Sequence, residues 1–459
     1  MIPFVRSLLA DLRNGLSRAF PPPVTLRQHL RQNLIIGMAI VLLLLVFQDA
    51  GPVRDSREKS IDWLVRMHRG IAATDDAATR PFVLYDIDET SHEKWGEPFH
   101  VPRDKLARLM ETALAAGPAV LFVDVELARP TPADDALLAV LQQHIQRPAG
   151  ATLILLSGFK EKVDPERGGY LSIRDSFVNA ALAGGASLNW ANSLFERDRD
   201  QLIRRWKPFV VTCDAQYRAM PLPAVQLVAL AAIEGSAAKA QLAAWLRSFA
   251  EESCFAPVSA DTAPLVLGGR SLSVADSPFG QRILFSFPWQ LEAGETRPET
   301  LFEGQRTRLL SVIPAHVVTE GGLRPDVPPG HVAVIGASHA DARDIHATPL
   351  GDMPGSLLLI NAMHSLFQHG QLVNPPAWLQ MLSAALMLIV VSVIFMKFPS
   401  LKGAIISFVL LLLLLVPLSM YLFRYGVWLD FALPLTAVKV FQVVMEYHRK
   451  LQNRQTDHE

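Results

Sequence analysis

Three acidic residues follow apolar runs that are typical of buried β-strands. Asp86 and Asp88 lie at the end of Phe82–Ile87 (FVLYDI), and Asp124 lies near the end of Ala119–Val125 (AVLFVDV). Ligands of α/β proteins bind at the carboxyl ends of parallel strands, so these carboxylates are expected to meet there if the two strands are adjacent. Gathered carboxylates raise one another's pKa or bind a cation. The pattern therefore indicates a candidate ligand-binding or switching site.

A structural interpretation of the same three acids stays open beside the functional one. Asp side chains commonly cap helices and accept hydrogen bonds from loop amides. Arg103 lies at the start of the next predicted helix and would then be the salt-bridge partner of these acids. Arg103 is for this reason included among the candidate switch residues.

A second candidate constellation is His339-x-Asp341-x-x-Asp344-x-His346, which places four possible metal ligands within eight residues. Such nitrogen and oxygen donors bind divalent cations when they converge within about 2.0–2.6 Å of the ion. The spacing matches no established metal motif, and Asp and His are also ordinary loop residues. These four residues are weak metal candidates. The alternative function they would support is that of a membrane-tethered, extracytoplasmic, metal-dependent hydrolase.

No motif in the chain assigns an enzymatic reaction or a nucleic-acid partner. The sequence lacks a Gly-x-Ser-x-Gly elbow, a P-loop and a dinucleotide fingerprint after a strand. Its 43 basic and 44 acidic residues give a net charge of −1, and no basic stripe is present. We therefore predict a protein that is not an enzyme, with no catalytic residue, no cofactor and no nucleic-acid partner.

The elements that must position these residues alternate between strand and helix. Strands are predicted at Phe82–Ile87, Ala119–Val125 and Ala151–Ser157, with helices at Pro102–Ala116 and from Asp134 to Leu141 between them. This order predicts an α/β fold with a mixed, largely parallel sheet and crossover helices. Further strands are predicted at Ala186–Trp190, Phe209–Cys213, Ile283–Phe287 and His331–Ala337, and further helices at Pro223–Glu234, Ser236–Glu252 and Ser356–His369.

Four apolar runs enclose this water-soluble stretch and predict four transmembrane helices, one N-terminal and three C-terminal. A helix of about 20 apolar residues crosses a bilayer. The predicted spans are residues 34–50, 377–396, 403–423 and 427–446. The first run could also be the apolar core of a cleaved signal peptide, but its long N-terminal region and poor cleavage site favour an uncleaved anchor.

The distribution of basic residues predicts the orientation of these spans. Basic residues concentrate on the cytoplasmic side of bacterial membrane proteins. Five arginines precede the first run and three basic residues follow the fourth. We therefore expect cytoplasmic segments at residues 1–33 and 447–459, and an extracytoplasmic domain at residues 51–375. In that domain Cys213 and Cys254 could form a disulfide, while two free thiols are equally compatible with the sequence.

Two blocks of motifs resemble the type-2 CHASE domain, a class of cyclase/histidine-kinase-associated sensory extracellular domains of bacteria. The first block comprises Asp86-Ile87-Asp88-Glu89, Val101-Pro102-Arg103, Gly117, Phe122-Val123-Asp124-Val125 and Asp134-Asp135. The second comprises Val334-Ile335-Gly336-Ala337-Ser338, Asp344, Ala347-Thr348-Pro349-Leu350, Met353-Pro354-Gly355 and Asn361-Ala362. The cluster of C-terminal apolar runs is also similar to that of the family.

This resemblance implies a bacterial inner-membrane sensor with its large domain in the periplasm. It places Asp344 and Thr348 in a shaped loop, which adds both to the candidate ligand-binding or switch residues. The sequence ends soon after Arg449-Lys450-Leu451, so we expect a sensor or scaffold without a fused output domain. Its expected partners are the lipid bilayer, a signalling or effector protein in trans and a second copy of the chain, because relatives that drive cyclases and kinases need paired outputs.

Overall fold

The structure is a computed structural model that describes most of the soluble region and two C-terminal helices. The described residues are isolated positions between 35 and 47, and residues 50–67, 79–131, 133–147, 150–179, 188–250, 253–256, 263–273, 281–322, 326–372, 376–397 and 400–423. The predicted cytoplasmic segments and the fourth span lie outside these residues. The chain forms two compact units, Met1–Leu64 with Val373–Glu459 and Val65–Leu372. Each unit is described by itself.

The helices and strands are numbered in chain order among the described residues. The helices are α1 (Gly51–Met67), α2 (Glu89–Lys94), α3 (Arg103–Ala115), α4 (Asp134–Ile145), α5 (Val225–Glu234), α6 (Ser236–Arg247), α7 (Ala315–Thr319), α8 (Gly355–His369), α9 (Ala377–Lys397) and α10 (Ser400–Phe423), with a 3₁₀ turn at Ala340–Ala342. The strands are β1 (Phe82–Ile87), β2 (Val120–Val123), β3 (Thr152–Leu156), β4 (Phe159–Asp164), β5 (Gly168–Ile173), β6 (Leu188–Ala191), β7 (Phe195–Arg197), β8 (Ile203–Trp206), β9 (Phe209–Cys213), β10 (Ala219–Pro223), β11 (Leu265–Leu267), β12 (Arg270–Leu272), β13 (Glu299–Phe302), β14 (Gln305–Arg308), β15 (Leu310–Pro314), β16 (Val332–Ala337), β17 (Ile345–Thr348) and β18 (Gly351–Pro354).

A six-stranded sheet with the order β15-β1-β16-β2-β3-β6 forms the centre of the domain. Every neighbouring pair in this sheet is parallel. The prediction of an α/β fold with a largely parallel sheet is therefore confirmed. The antiparallel pairs of the described residues lie in separate two-stranded sheets rather than mixed into the central one. The central strands β1 and β2 are buried along their whole length, as expected of a sheet covered on both faces.

Helices cover the two faces of this sheet and form a three-layer arrangement. On one face, side chains such as Tyr85, Val123 and Ile335 pack in a single apolar cluster with residues of α3, α4 and α7. On the other face, α5 contacts β2 and β3, and α8 contacts β1 and β16. Strand side chains alternate between faces, so Asp86, Gly336 and Asp124 belong to the α8 side. This alternation decides which helix the acidic residues meet.

The prediction of a strand at Ile283–Phe287 is wrong, although the segment is extended and buried. The amide of Ile283 donates to Arg204 O of β8, whereas three later amides of the segment are bonded by side chains of α8. The amide of Leu284 donates to the Ser365 hydroxyl, and those of Ser286 and Phe287 donate to Asn361 Oδ1. A buried amide needs a partner, but that partner need not be a strand.

Cys213 and Cys254 form a disulfide, which decides between the alternatives left open by the sequence. The bond joins β9 to the short segment at residues 253–256. Phe255 packs there against Tyr170 and Tyr217. The disulfide therefore fixes a segment that has little secondary structure of its own.

One helix among the described residues is long and apolar enough to cross a membrane by length and composition. It is the stretch Ile405–Leu422 of α10, which lies within the predicted third span. The second predicted span is also helical, since α9 covers Ala377–Lys397. The first span is described only at isolated positions. Four crossings and their orientation therefore stay predictions.

Candidate functional site

The acidic residues of the sheet lie at its carboxyl edge, on either side of β16. Asp86 pairs in register with Gly336, and the amide of Asp124 donates to Ile335 O at 2.8 Å. β1 and β2 are not adjacent, because β16 enters between them from far along the chain, so the condition for these carboxylates to meet is not fulfilled. Two strand spacings of about 4.8 Å separate Asp86 from Asp124. They share one edge without meeting.

Asp86 is a buried acid with an incomplete set of partners. Its carboxyl Oδ2 accepts a hydrogen bond from the Ser338 hydroxyl at 2.7 Å, while Oδ1 is buried and has no hydrogen-bond partner within the described ranges. Only 3% of the residue is exposed. Burial, opposed by the Ser338 bond and assisted by the charge of Asp88, raises the pKa of Asp86 to about 6. Asp86 is therefore protonated at a pH at which an exposed aspartate would be ionised.

Asp344 is the acid whose negative charge acts on Asp124. Burial, with a further contribution from the negative charge of Asp344, raises the pKa of Asp124 to about 8. Asp344 Oδ1 lies 2.8 Å from His346 Nε2, and 41% of the Asp344 side chain is exposed. We call Asp86, Asp124 and Asp344 together the acidic edge.

The first turn of α8 lies between the members of the acidic edge, because two glycines permit a close approach. A Cβ on Gly336 would overlap with Cβ of Ser356 and would lie 3.7 Å from Cβ of Asp124. A Cβ on Gly355 would overlap with the carboxylate of Asp344. The Ser356 hydroxyl is fully buried and has no hydrogen-bond partner among the residues that the structure describes. The positive end of a helix and an unpaired hydroxyl are therefore placed between Asp124 and Asp344.

We expect Gly336→Ala to destabilise the domain by about 1–3 kcal/mol, because overpacking forces α8 away from the sheet. Urea unfolding of the full chain in detergent, followed by tryptophan fluorescence, measures the change. The double variant Gly336→Ala/Ser356→Gly should recover most of the loss, since the overlap is with Cβ of Ser356. Gly169→Ala is the matched control, because its nearest atom is Lys162 O at 3.9 Å. A loss in the double variant as large as in Gly336→Ala would contradict the packing.

Asp88 and Arg103 have structural partners apart from the acidic edge. Asp88 caps α2, where its Oδ1 accepts a hydrogen bond from the Ser91 amide at 2.9 Å. This confirms the capping interpretation for Asp88. Arg103 does not pair with Asp86, Asp88 or Asp124, since its Nε lies 3.3 Å from Asp134 Oδ1. The prediction that Arg103 forms a salt bridge is correct, but its partner is Asp134 rather than one of these three acids.

The four metal candidates divide into two pairs. Asp344 bonds to His346, whereas His339 stacks on His92 with ring centroids 4.0 Å apart and donates from Nδ1 to Ile87 O. Asp341 Oδ2 lies 3.4 Å from His92 Nε2. Among the described residues, no three His, Cys, Asp or Glu side chains are grouped closely enough to hold a metal ion.

Thr348 shapes the hairpin β17–β18 that follows Asp344. Its hydroxyl donates to Gly351 O at 2.6 Å and accepts from the Leu350 amide at 3.2 Å. The turn next to it carries Pro349, whose carbonyl accepts a hydrogen bond from Arg66 Nε at 2.9 Å. Arg66 lies in the last turn of α1. The hairpin is therefore bonded to α1 at its turn and to α8 at its base, where Gly355 N donates to Asp344 O at 2.8 Å.

Comparison with known families gives one match, to the CHASE2 domain over residues 37–396. The chain belongs to the CHASE2 family. The match covers most of the chain, including the acidic edge and the hairpin beside it. No curated protein and no solved structure gives a significant match. This match confirms the resemblance found in the sequence. CHASE2 domains are extracytoplasmic sensory domains of membrane proteins, so membership of the family supports a sensory role.

Proposed function

We propose that this chain is a bacterial inner-membrane sensor or scaffold. Its periplasmic CHASE2 domain detects a ligand or a protein at the acidic edge and signals to a separate polypeptide through its membrane helices. The family supports the sensory part of this proposal. Among the described residues, no converging set of metal ligands favours the hydrolase alternative, and we propose no enzymatic activity.

The observation that carries the proposal is the pair of hydrogen bonds that hold the hairpin β17–β18, one donated by a side chain and one by the backbone. Arg66 joins its turn to α1, from which the chain runs back toward the predicted first span. Asp344 joins its base to α8, after which the chain continues into α9. A ligand that shifts Asp344 would therefore act on the ends of the two helices that connect the domain to the predicted spans.

Such signalling requires a ligand with different affinities for two conformations. The acidic edge supplies a physical basis for this difference. A ligand that ionises Asp124 changes the charge beside Asp344 and the first turn of α8. The free energy of ligand binding can then favour one position of the hairpin over the other.

We expect affinity purification of the full chain from detergent-solubilised membranes to recover a signalling partner. The Arg66→Gln variant should recover a different amount of that partner, because the substitution removes the hydrogen bond to Pro349 O. Arg108→Gln is the matched control, since Arg108 is exposed on α3. Repeated recovery of a bare homo-oligomer, or identical behaviour of the Arg66 and Arg108 variants, would count against the proposal.

A further inference from the structure

The acidic edge has acceptor atoms without donors. Within the described residues, the carboxylate of Asp124 accepts no hydrogen bond and has no cationic partner, and it is only partly exposed. Asp344 uses Oδ1 for His346 and leaves Oδ2 free of a cationic partner. Buried or half-buried charges of one sign are costly unless they are paired. This surplus of acceptors favours a ligand that supplies positive charge and hydrogen-bond donors.

Ser356 is the independent observation that points to a ligand. Its hydroxyl is fully buried and has no partner in the described part of the chain, and a Cβ on Gly336 would lie 3.0 Å from this oxygen and 3.7 Å from Cβ of Asp124. An unpaired buried hydroxyl costs free energy, so such groups are rare unless something satisfies them. The hydroxyl can accept one hydrogen bond from a donor placed between Asp124 and Asp344.

A bare metal ion fits this arrangement poorly. Inner-sphere coordination requires several donors within about 2.0–2.6 Å of one point, and the described residues offer no group of three suitable side chains. An ammonium group has three N–H donors and bonds at about 2.7–2.9 Å to charged acceptors. An ammonium N–H can also donate to a neutral hydroxyl oxygen such as that of Ser356.

We propose that Asp124, Asp344 and the Ser356 hydroxyl bind the primary ammonium group of a small organic cation. This inference rests on the proposed ligand-binding role of the acidic edge and names the class of ligand. The two carboxylates balance the positive charge, and the serine oxygen accepts the third N–H. Asp86, on the other side of Gly336, adds negative charge at the same edge without touching the ammonium group.

The proposal carries a proton signature that a purely structural cluster lacks. Asp124 is mostly protonated at neutral pH, because its pKa is raised to about 8. A bound cation favours the ionised form, so binding releases a proton to solvent. By linkage, the affinity should fall by about tenfold for each unit that the pH drops below the pKa of Asp124.

Isothermal titration of the full chain in detergent with 1,4-diaminobutane tests the proposal. We expect saturable binding, an affinity that rises between about pH 6 and pH 8, and release of about one proton per ligand. The neutral analogue 1,4-butanediol should not bind. Asp124→Asn should lower the affinity by about tenfold or more and remove the pH dependence. Ser356→Ala should weaken binding by a smaller factor and keep the pH dependence.

The matched control is Asp352→Asn, which removes an exposed acid of the same hairpin and should leave binding unchanged. Unchanged urea unfolding of each variant shows that it is folded. Equal binding of the diol, saturation by calcium without binding of the diamine, or an unaffected Asp124→Asn variant would overturn the ammonium site. Failure here with a partner still recovered by affinity purification would leave the sensor proposal intact. Diamine binding without recovery of any partner would support the ammonium site and count against the sensor proposal.

Discussion

Arg103→Met should lower the free energy of unfolding by about 3–5 kcal/mol, because it removes one member of a buried ion pair. The Arg103 side chain is 2% exposed, and its Nε lies 3.3 Å from Asp134 Oδ1. Its guanidinium also donates to the carbonyls of Glu126 and Arg129 at 3.4 and 3.2 Å and lies over the ring of Phe177. Methionine fills part of the volume and satisfies none of these acceptors.

The loss should be visible as a lower urea midpoint of the full chain in detergent, followed by tryptophan fluorescence. Arg108→Met is the matched control, since it makes the same change on the exposed side of α3. Surface changes of this kind usually lie within about 0.5 kcal/mol of zero. An Arg103 variant as stable as the Arg108 variant would show that the ion pair contributes nothing to the fold.

His364→Leu should stabilise the domain, and more so in acid. His364 is 1% exposed on α8 between Phe82 and Phe287, and neither of its ring nitrogens has a hydrogen-bond partner among the described residues. Burial, with a smaller contribution from His369, lowers its pKa to about 3. Removing the unpaired nitrogens should add about 1–3 kcal/mol at neutral pH. Leucine is close to histidine in volume, so the packing changes little.

The pH dependence follows from the lowered pKa. An unfolded histidine titrates at about 6.5, so between about pH 6.5 and pH 3 the unfolded chain binds more protons than the folded one. The wild type therefore loses stability as the pH falls through this window, by about 1.4 kcal/mol per unit where the difference is one proton. The His364→Leu variant does not lose stability in this way. The difference in the free energy of unfolding between the variant and the wild type should therefore grow by about 2–3 kcal/mol from pH 6.5 to pH 4.5.

Urea unfolding at several pH values measures this difference. His100→Leu, at an exposed position, is the matched control and should show no widening of the difference in acid. A His364→Leu variant whose stability runs parallel to that of the wild type across the window would mean that His364 is not held neutral in the fold.

Local patterns predicted the elements of the domain well where burial was continuous. The strand Phe82–Ile87 and the strand Phe209–Cys213 have the predicted bounds, and the helix predicted at Pro102–Ala116 is Arg103–Ala115. The strand Leu310–Pro314 was missed, because it lies at an edge of the sheet and only its first residue is buried. A half-exposed edge strand carries no apolar run to recognise.

The residue types of the candidate site could be predicted from the sequence, but the contacts between these residues could not. Carboxylates at strand ends pointed to Asp86 and Asp124, and the family resemblance pointed to Asp344. Their true arrangement depends on β16 entering between β1 and β2, and no local pattern encodes that order. Ser356 was missed because one serine at the start of an apolar helix is unremarkable in sequence. Its importance arises only from the contact with Gly336.

The position of β1 in the sheet also constrains how the domain assembles. Phe82 pairs with Leu310 on one side and with Val332 on the other, so both neighbours of the first strand are supplied by the last part of the domain. Contacts between such distant parts of a chain require closure of a long loop, which slows folding. A chain delivered N-terminus first must therefore keep β1 unpaired until its last part arrives. Until then both edges of this buried strand are open to pairing with a wrong strand.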